Sequence, residues 1–574
     1  MPAVTQYGTT TEPKRVRYER LRGAMDNERQ SFMAHWRDLA DYYLPRRAQF
    51  QTSDTNKGSK VNQKIIDSTA TLALRTLKAG MTAGITSPAR PWFRLSTPDP
   101  ALAEFGPVKT WLEQVRQRMV TVFLQSNLYN ALPTVYGDEA AFGTGCMLVM
   151  EDDLEVIRCY PFPIGSYWIA NDARLQVSVF MREFKLSVRQ VVERFCPVDG
   201  KGQPDLSNLS TSTASLWRNH SREQWVEIVQ VIGPNDSANR SALSSKYLPY
   251  TSCYYEKGGE QDKILSESGF EEFPVLAPRW DTAGEDIYGT SCPGMDALGD
   301  TKELQLKRKR LAEAIEKGVR PPMTGPTALK NSKASIVAGD ITYADAQTAQ
   351  QGFRPAFQVT LNIDHLKMDI QEIQQRISRA FYEDLFLMLA MTDRREITAR
   401  EIEERHEEKL LMLGPTLERQ NNELLDPLID RVFGIMARRH LIPPPPEDVQ
   451  GMDLKVEYIS IMAQAQKQVG FNGLLRYVGF VGSMAASKPD VIDKVDLDQA
   501  ADVCADILGV PPEIVRSDEQ VMEIRDARAR AQMAQQRVEQ LTQMAQGAKL
   551  LSETDTSRES ALTAVAGAVA GGGA

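Results

Sequence analysis

Residues able to do chemistry are few in this chain, and they are scattered. Asp281, Glu285 and Asp286 share one short run, Asp281-Thr282-Ala283-Gly284-Glu285-Asp286, and three carboxylates so close could ligate a divalent cation. Asp and Gly are also what a loop between a strand and a helix contains, and the run is read as such a loop. The histidines His35, His220, His365, His406 and His440 include no pair at ligand spacing, and no H-E-x-x-H is present. No G-x-x-x-x-G-K-[ST] occurs, so a nucleotide-driven motor is not expected. Gly289-Thr290-Ser291-Cys292-Pro293-Gly294 is like a nucleophile elbow with the wrong spacing. Cys146, Cys159, Cys196, Cys253, Cys292 and Cys504 form no C-x-x-C pair, so buried free thiols in a reducing compartment are expected rather than zinc or disulfides. No catalytic group, metal or cofactor is expected.

The basic residues are more suggestive. Lys307-Arg308-Lys309-Arg310 is the densest cluster, but consecutive residues point all round a helix and cannot form one stripe facing nucleic acid. Solvation and ion pairs with a neighbouring helix are expected; gripping DNA is the alternative. Thr392-Asp393-Arg394-Arg395-Glu396 lies in a polar break, Leu389 to Ile397, between two strongly helical stretches. Its arginines could touch phosphates, or pair with Glu396, Glu401 or a neighbour's carboxylate.

The chain has 574 residues, of which 42% are hydrophobic and 25% charged, enough for several globular domains. Its net charge of −9 argues against a protein that clamps DNA by neutralising phosphates. It suits a surface past which a duplex slides. No window approaches the roughly twenty apolar residues of a membrane span. Met1 to Arg20 lacks the apolar stretch of a secretory signal.

Periodicity supplies the scaffold. Apolar residues three and four apart predict a helix from Tyr18 to Tyr43, a second from Asn62 to Ile85, and a third from Val108 to Leu124. Val108, Trp111, Leu112, Val115, Met119, Val122 and Phe123 lie on the buried face of the third. A fourth, Tyr129 to Phe142, should end at Gly143. From Cys146 to Trp280 a β-rich region is expected, with one helix near Ser187–Phe195 and a polar loop from Asp205 to Ser215. Two long helices follow. Met295–Lys317 stops at Gly318, and Ile363–Leu389, about 40 Å long at 1.5 Å per residue, carries the stripe Ile363, Leu366, Ile370, Ile373, Ile377 and Phe381. Between them, Val319 to Val359 reads as a small α/β excursion. A third long helix should run from the Thr398/Glu401 capping box toward His440, kinked or split at Pro415 and Pro427 and closed by Pro443-Pro444-Pro445-Pro446. Short helices are expected from Gly451 to Gly509, and a solvent-rich or tube-forming helix from Glu513 to Lys549.

Five passages in one order resemble the portal (head-to-tail connector) family of short-tailed bacteriophages. They are Ile66-Asp67-Ser68-Thr69-Ala70 through Gly80-Met81-Thr82-Ala83-Gly84 to Ser87-Pro88-Ala89-Arg90-Pro91-Trp92-Phe93; Ser126-Asn127-Leu128-Tyr129 with Tyr136 to Gly145; Asp286-Ile287-Tyr288-Gly289-Thr290-Ser291 with Met295 to Lys302; Lys317 to Met323; and Ile397 to Glu408 with Leu413-Gly414-Pro415 and Glu423 to Leu428. The likeness spans roughly residues 15 to 530. It implies an α+β, mainly helical portal fold: N-terminal helices and a β-rich wing (1–290), an outgoing stem helix (291–318), a clip (319–361), a returning stem helix (362–388) and a tunnel loop (389–397). A long wing/crown helix (398–442), a crown (443–512), a C-terminal barrel helix (513–552) and a flexible tail (553–574) would complete it.

The function implied is a ring of twelve subunits at one capsid vertex, assembled in the host cytoplasm and built into the virion. It would conduct double-stranded DNA during packaging and ejection. It would meet scaffolding and major capsid proteins, dock the terminase large subunit, and later hold the tail adaptor. Thr392, Asp393, Arg394, Arg395 and Glu396 would line the channel. Leu366, Ile370, Ile373 and Ile377 would pack the stems side by side in the ring, and Arg320 and Lys330 would serve docking at the clip. The competing readings are a metal-dependent nuclease or recombinase, which would need converging carboxylates, and another ring or adaptor component of the virion.

Overall fold

The computed structural model describes residues 13–50, 62–89, 91–99, 105–200, 202–239, 241–321, 363–386, 414–451, 454–458, 477–484, 495–508 and 518–552, with isolated positions between them. The chain is α+β and mainly helical, as expected.

Four helices build the centre: α1 (Lys14–Tyr42), α2 (Thr69–Ile85), α3 (Gly106–Gln125) and α4 (Leu128–Phe142). The seven residues assigned to the inner face of α3 are the ones it buries. α4 ends where Gly143 turns left-handed at φ 82°, and its N–H closes on the Glu139 carbonyl. The Trp-Phe pair enters strand β1 (Phe93–Ser96), with Trp92 stacked on Phe123. Strands β2 (Met147–Asp152) and β3 (Val156–Pro161) form a hairpin. β4 (Tyr167–Asn171), β5 (Val177–Ser187), β6 (Trp225–Pro234), β7 (Tyr250–Glu256) and β8 (Ser266–Phe270) form an antiparallel sheet in that order. β9 (Val275–Leu276) adds to β2.

β6 is buried from Ile228 to Gly233 because the sheet is covered on both faces there. Val229 and Val231 face a cluster with Met25 of α1, Trp168 and Met181. Ile228 faces a second cluster, built on α5 (Val188–Phe195). That cluster also contains α6 (Thr211–Arg218), where a polar loop was expected. The correction has a local cause. Ser210 caps α6 by accepting the Thr213 N–H, and the Ser210 hydroxyl in turn donates to buried Glu256.

α7 (Leu298–Val319) and α8 (Ile363–Ala380) run antiparallel. Short strands β10 (Met323–Thr324) and β11 (Arg354–Pro355) pair across the excursion between them. α8 is shorter than expected. It stops at Ala380, about 27 Å along at 1.5 Å per residue, because Tyr382 takes a left-handed turn at φ 54°. Beyond 413, α9 (Gly414–Gln420) passes through a π turn, Asn421–Leu425, into α10 (Asp426–Arg438). Pro427 sits in the first turn of α10, and in the π turn before it the Asp426 N–H reaches back to the Asn421 carbonyl. Strand β12 (Lys455–Tyr458) pairs with β1. α11 (Leu497–Leu508) and α12 (Asp518–Ser552) complete the described chain. Among the described residues, no helix is long and apolar enough to cross a membrane.

Candidate functional site

Two features dominate the junction between the central helices and the α7–α8 pair. The first is a carboxylate hub. Asp67, just ahead of α2, accepts the Thr69 N–H at 2.8 Å and the Thr69 hydroxyl at 2.5 Å through Oδ1. Its Oδ2 accepts Arg308 Nε at 2.6 Å and Gln374 Nε2 at 3.1 Å. Gln305 Oε1 accepts the backbone N–H groups of Ile66 and Asp67, each at 2.7 Å. One short stretch thus ties both α7 and α8 to α2. Burial works against the Asp67 carboxylate, but the Thr69 and Arg308 hydrogen bonds outweigh it and hold its pKa below the usual range.

The second feature is a crossing of backbones. Gly143, after α4, and Gly289 lie so close that a Cβ on either would fall on the other's carbonyl. Trp280 N–H donates to the Gly143 carbonyl at 2.9 Å, and Gly289 N–H to Thr144 Oγ1 at 2.8 Å. Gly294 likewise has no room for a side chain beside Ala141. The second and third sequence passages are therefore one physical joint. Another glycine joins the first passage to the returning chain: the Phe386 ring occupies the space over Gly80.

Buried polar groups fasten the joint to α9 and its π turn. Arg279, 3% exposed, meets Glu423 through its own backbone N–H at 2.9 Å and its guanidinium at 2.7 and 3.1 Å. Glu139, in the last turn of α4, is wholly buried, and Gln420 donates to its Oε1. Burial above all, then the charge of Glu423, pushes the Glu139 pKa well above the carboxylate range. Among the described residues, Glu139 Oε2 and Gln420 Oε1 are both buried without a hydrogen-bond partner. Beside them, burial pushes the Cys292 thiol up to about 12. Asp138 faces elsewhere and takes Arg47 on both oxygens.

The candidate residues read from the sequence fall differently. Ile370, Ile373 and Ile377 are 2% exposed or less, and Leu366 is half-buried. Within the chain they share one core with Leu304 and Leu311 of α7 and Leu74 and Leu77 of α2, where three helices converge. Of the basic cluster, Lys307 pairs with Glu303 and Asp369, Arg308 with Asp67, and Lys309 and Arg310 are exposed. Arg320 and Lys330 are exposed. Thr392, Asp393, Arg394, Arg395 and Glu396 lie outside the described residues. Asp281 is exposed, accepts the Thr282 N–H at 2.8 Å and lies 3.4 Å from Arg419. Among the described residues, no three His, Cys, Asp or Glu side chains converge on a metal-sized site.

Sequence reasoning missed Glu139, Gln420, Arg279 and Glu423. A signal was present for the first: an Asp-Glu pair inside Tyr136-Gly137-Asp138-Glu139-Ala140-Ala141-Phe142, a helix otherwise apolar there, has to be buried and therefore partnered.

A family profile described as "Bacteriophage head to tail connecting protein" matches residues 15–515. The chain is 50% identical over 557 residues to a protein named "Portal protein" from Salmonella phage epsilon15, covering 97% of this chain and 99% of that one. It is 44% identical over 549 residues to a "Probable portal protein" from Bordetella phage BPP-1, covering 96% and 97% respectively. A solved chain titled "Neck of empty GTA particle computed with C6 symmetry" aligns at 11% identity and a TM-score of 0.30, over 75% of this chain and 94% of its own.

Proposed function

This chain belongs to the bacteriophage head-to-tail connecting protein family, and from that premise we propose how its parts divide the work of a portal. The family is structural: its members are virion components that form homo-oligomeric rings between head and tail. The finer assignments are our reading. Twelve subunits surround double-stranded DNA, which passes inward during packaging and outward during ejection. The terminase large subunit docks on the ring first and the tail adaptor later, while scaffolding and major capsid proteins hold it in the shell.

The observation that carries the reading is 50% identity over nearly the full length of the epsilon15 portal protein. The antiparallel α7–α8 pair supports outgoing and returning stems. The β10–β11 pairing supports a clip closed at its base, with Arg320 and Lys330 as docking residues. α12, whose described side chains are exposed from Met522 to Gln540, supports a barrel completed by neighbours.

Native mass spectrometry and negative-stain images of the purified protein test the ring. Twelve copies of 64.2 kDa (12 × 64.2) give about 770 kDa, with a central hole. Monomer alone at every concentration overturns the ring. The channel assignment rests on 389–397. Arg394→Ala with Arg395→Ala should leave assembly unchanged but reduce packaging or let packaged DNA leak. The arginine contacts are salt-screened, so the difference from wild type should shrink at higher ionic strength. Unchanged packaging and retention remove these residues from the channel.

A further inference from the structure

The last described residue before the channel candidate, Phe386, and the first element after it, α9, are both held on the central helices. On the outgoing side the hold is a ring seated over a glycine, Phe386 over Gly80. On the return side it is polar and wholly buried: Gln420, the last residue of α9, against Glu139 of α4.

This second contact presents a puzzle in hydrogen-bond accounting. One bond is made, from Gln420 Nε2 to Glu139 Oε1. The other oxygen of each group, Glu139 Oε2 and Gln420 Oε1, is buried with no partner among the described residues. Both atoms are acceptors if Glu139 is ionised, so neither can satisfy the other, and leaving two buried acceptors unpaired is costly. One proton removes both deficits. A carboxylic acid offers an O–H from Oε2 to the amide oxygen while Oε1 accepts the amide N–H. We propose that Glu139 and Gln420 form a two-point acid–amide pair that latches α9 onto α4.

The surroundings favour the protonated acid. Glu423, on the same side, is a like charge; Cys292 and Tyr136 are neutral neighbours; Arg419, the cation facing Glu139, is engaged by Glu423 at 3.6 Å and Asp281 at 3.4 Å. Burial adds to the like charge in raising the Glu139 pKa. A carboxyl raised in the folded state contributes stability that is fully present below its unfolded pKa. That stability is lost as the pH climbs through the folded value. The latch therefore holds in acid and weakens in alkali. It acts by positioning: resting on the reading that 389–397 faces the DNA, it sets where the chain returns from the channel.

The test uses the assembled wild-type protein and Glu139→Gln, in which an amide replaces the acid, keeps both hydrogen bonds and cannot titrate. The two should melt together at mildly acidic pH. As pH rises, the wild type should fall progressively below Glu139→Gln. At neutral pH a difference infrared spectrum should show a protonated carboxyl band in the wild type that the variant lacks. Parallel melting profiles across pH, or no acid band, overturn the latch. Glu139→Ala should melt lower than both at every pH; if it fails to fold, the Glu139→Gln comparison still decides. Filled particles exposed to alkali should retain DNA severalfold better with Glu139→Gln than with wild type. Equal loss, alongside the expected melting difference, overturns the channel reading of 389–397 and leaves the latch standing.

Discussion

α4 and α12 are both regular helices, built on opposite principles. α4 spans Leu128–Phe142 and buries eleven of its fifteen residues, including Asp138 and Glu139, which can be there only because Arg47 and Gln420 meet them. α12 is 35 residues long, and its described side chains from Met522 to Gln540 are exposed, with Met533 at 63% and Val538 at 62%. Arg525 ties it to Asp498 of α11 at 2.6 Å, between groups that are both exposed. Helices gain most of their stability from packing rather than from propensity. Among the described residues, the subunit thus has a body packed on itself and an extension that stays exposed.

The sharpest way to break this contrast is at the body's tightest point. Gly289→Ala puts a Cβ on the Gly143 carbonyl and should cost more than about 4 kcal/mol, enough to prevent soluble expression. Gly299→Ala, in α7 with open space around it, should instead stabilise by up to about 1 kcal/mol. Equal yields and melting temperatures for the two would remove the claim of steric lock. Next comes Ile373→Asp, a carboxylate at a position with no exposure. About 3–5 kcal/mol should be lost, read as a lower urea midpoint of the dissociated subunit. If only ring formation suffers and the subunit midpoint holds, the stripe lies between subunits after all. The smallest effect belongs to α12. Ending the chain after Arg516 should leave the body's main melting transition within about 0.5 kcal/mol of the full chain, while the far-ultraviolet helix signal drops. A large fall in that transition would mean that α12 does brace the body.

Most of the central helices were legible because local pattern and tertiary burial agree there. The face of α3 could be read residue by residue, and Gly143 marked the end of α4 by its type alone. What was illegible depends on partners far along the chain. α6 stands where polar residues promised a loop, since its cap is stabilised by Glu256 on β7. β8 is half-buried throughout, and β12 is a short strand completed by β1 at the other end of the sequence. The end of α8 was invisible for a different reason: Tyr382 adopts a backbone conformation that its residue type does not advertise. Family membership was readable from five passages, yet their physical meaning was not. Gly80, Gly143 and Gly289 appear in the sequence as separate signatures, and only the structure shows which backbone or ring each one admits.

The meeting of Gly143 with Gly289 has a genetic consequence. Most packing defects can be relieved by trimming the neighbour that is struck, but here the neighbour is a carbonyl on a residue that already has no side chain. A lesion at either position therefore has no compensating substitution at the other. Suppressors of a mild allele would have to move whole backbone segments apart, and should arise where Trp280, Thr144 and Gly294 set the spacing between the two strands of chain.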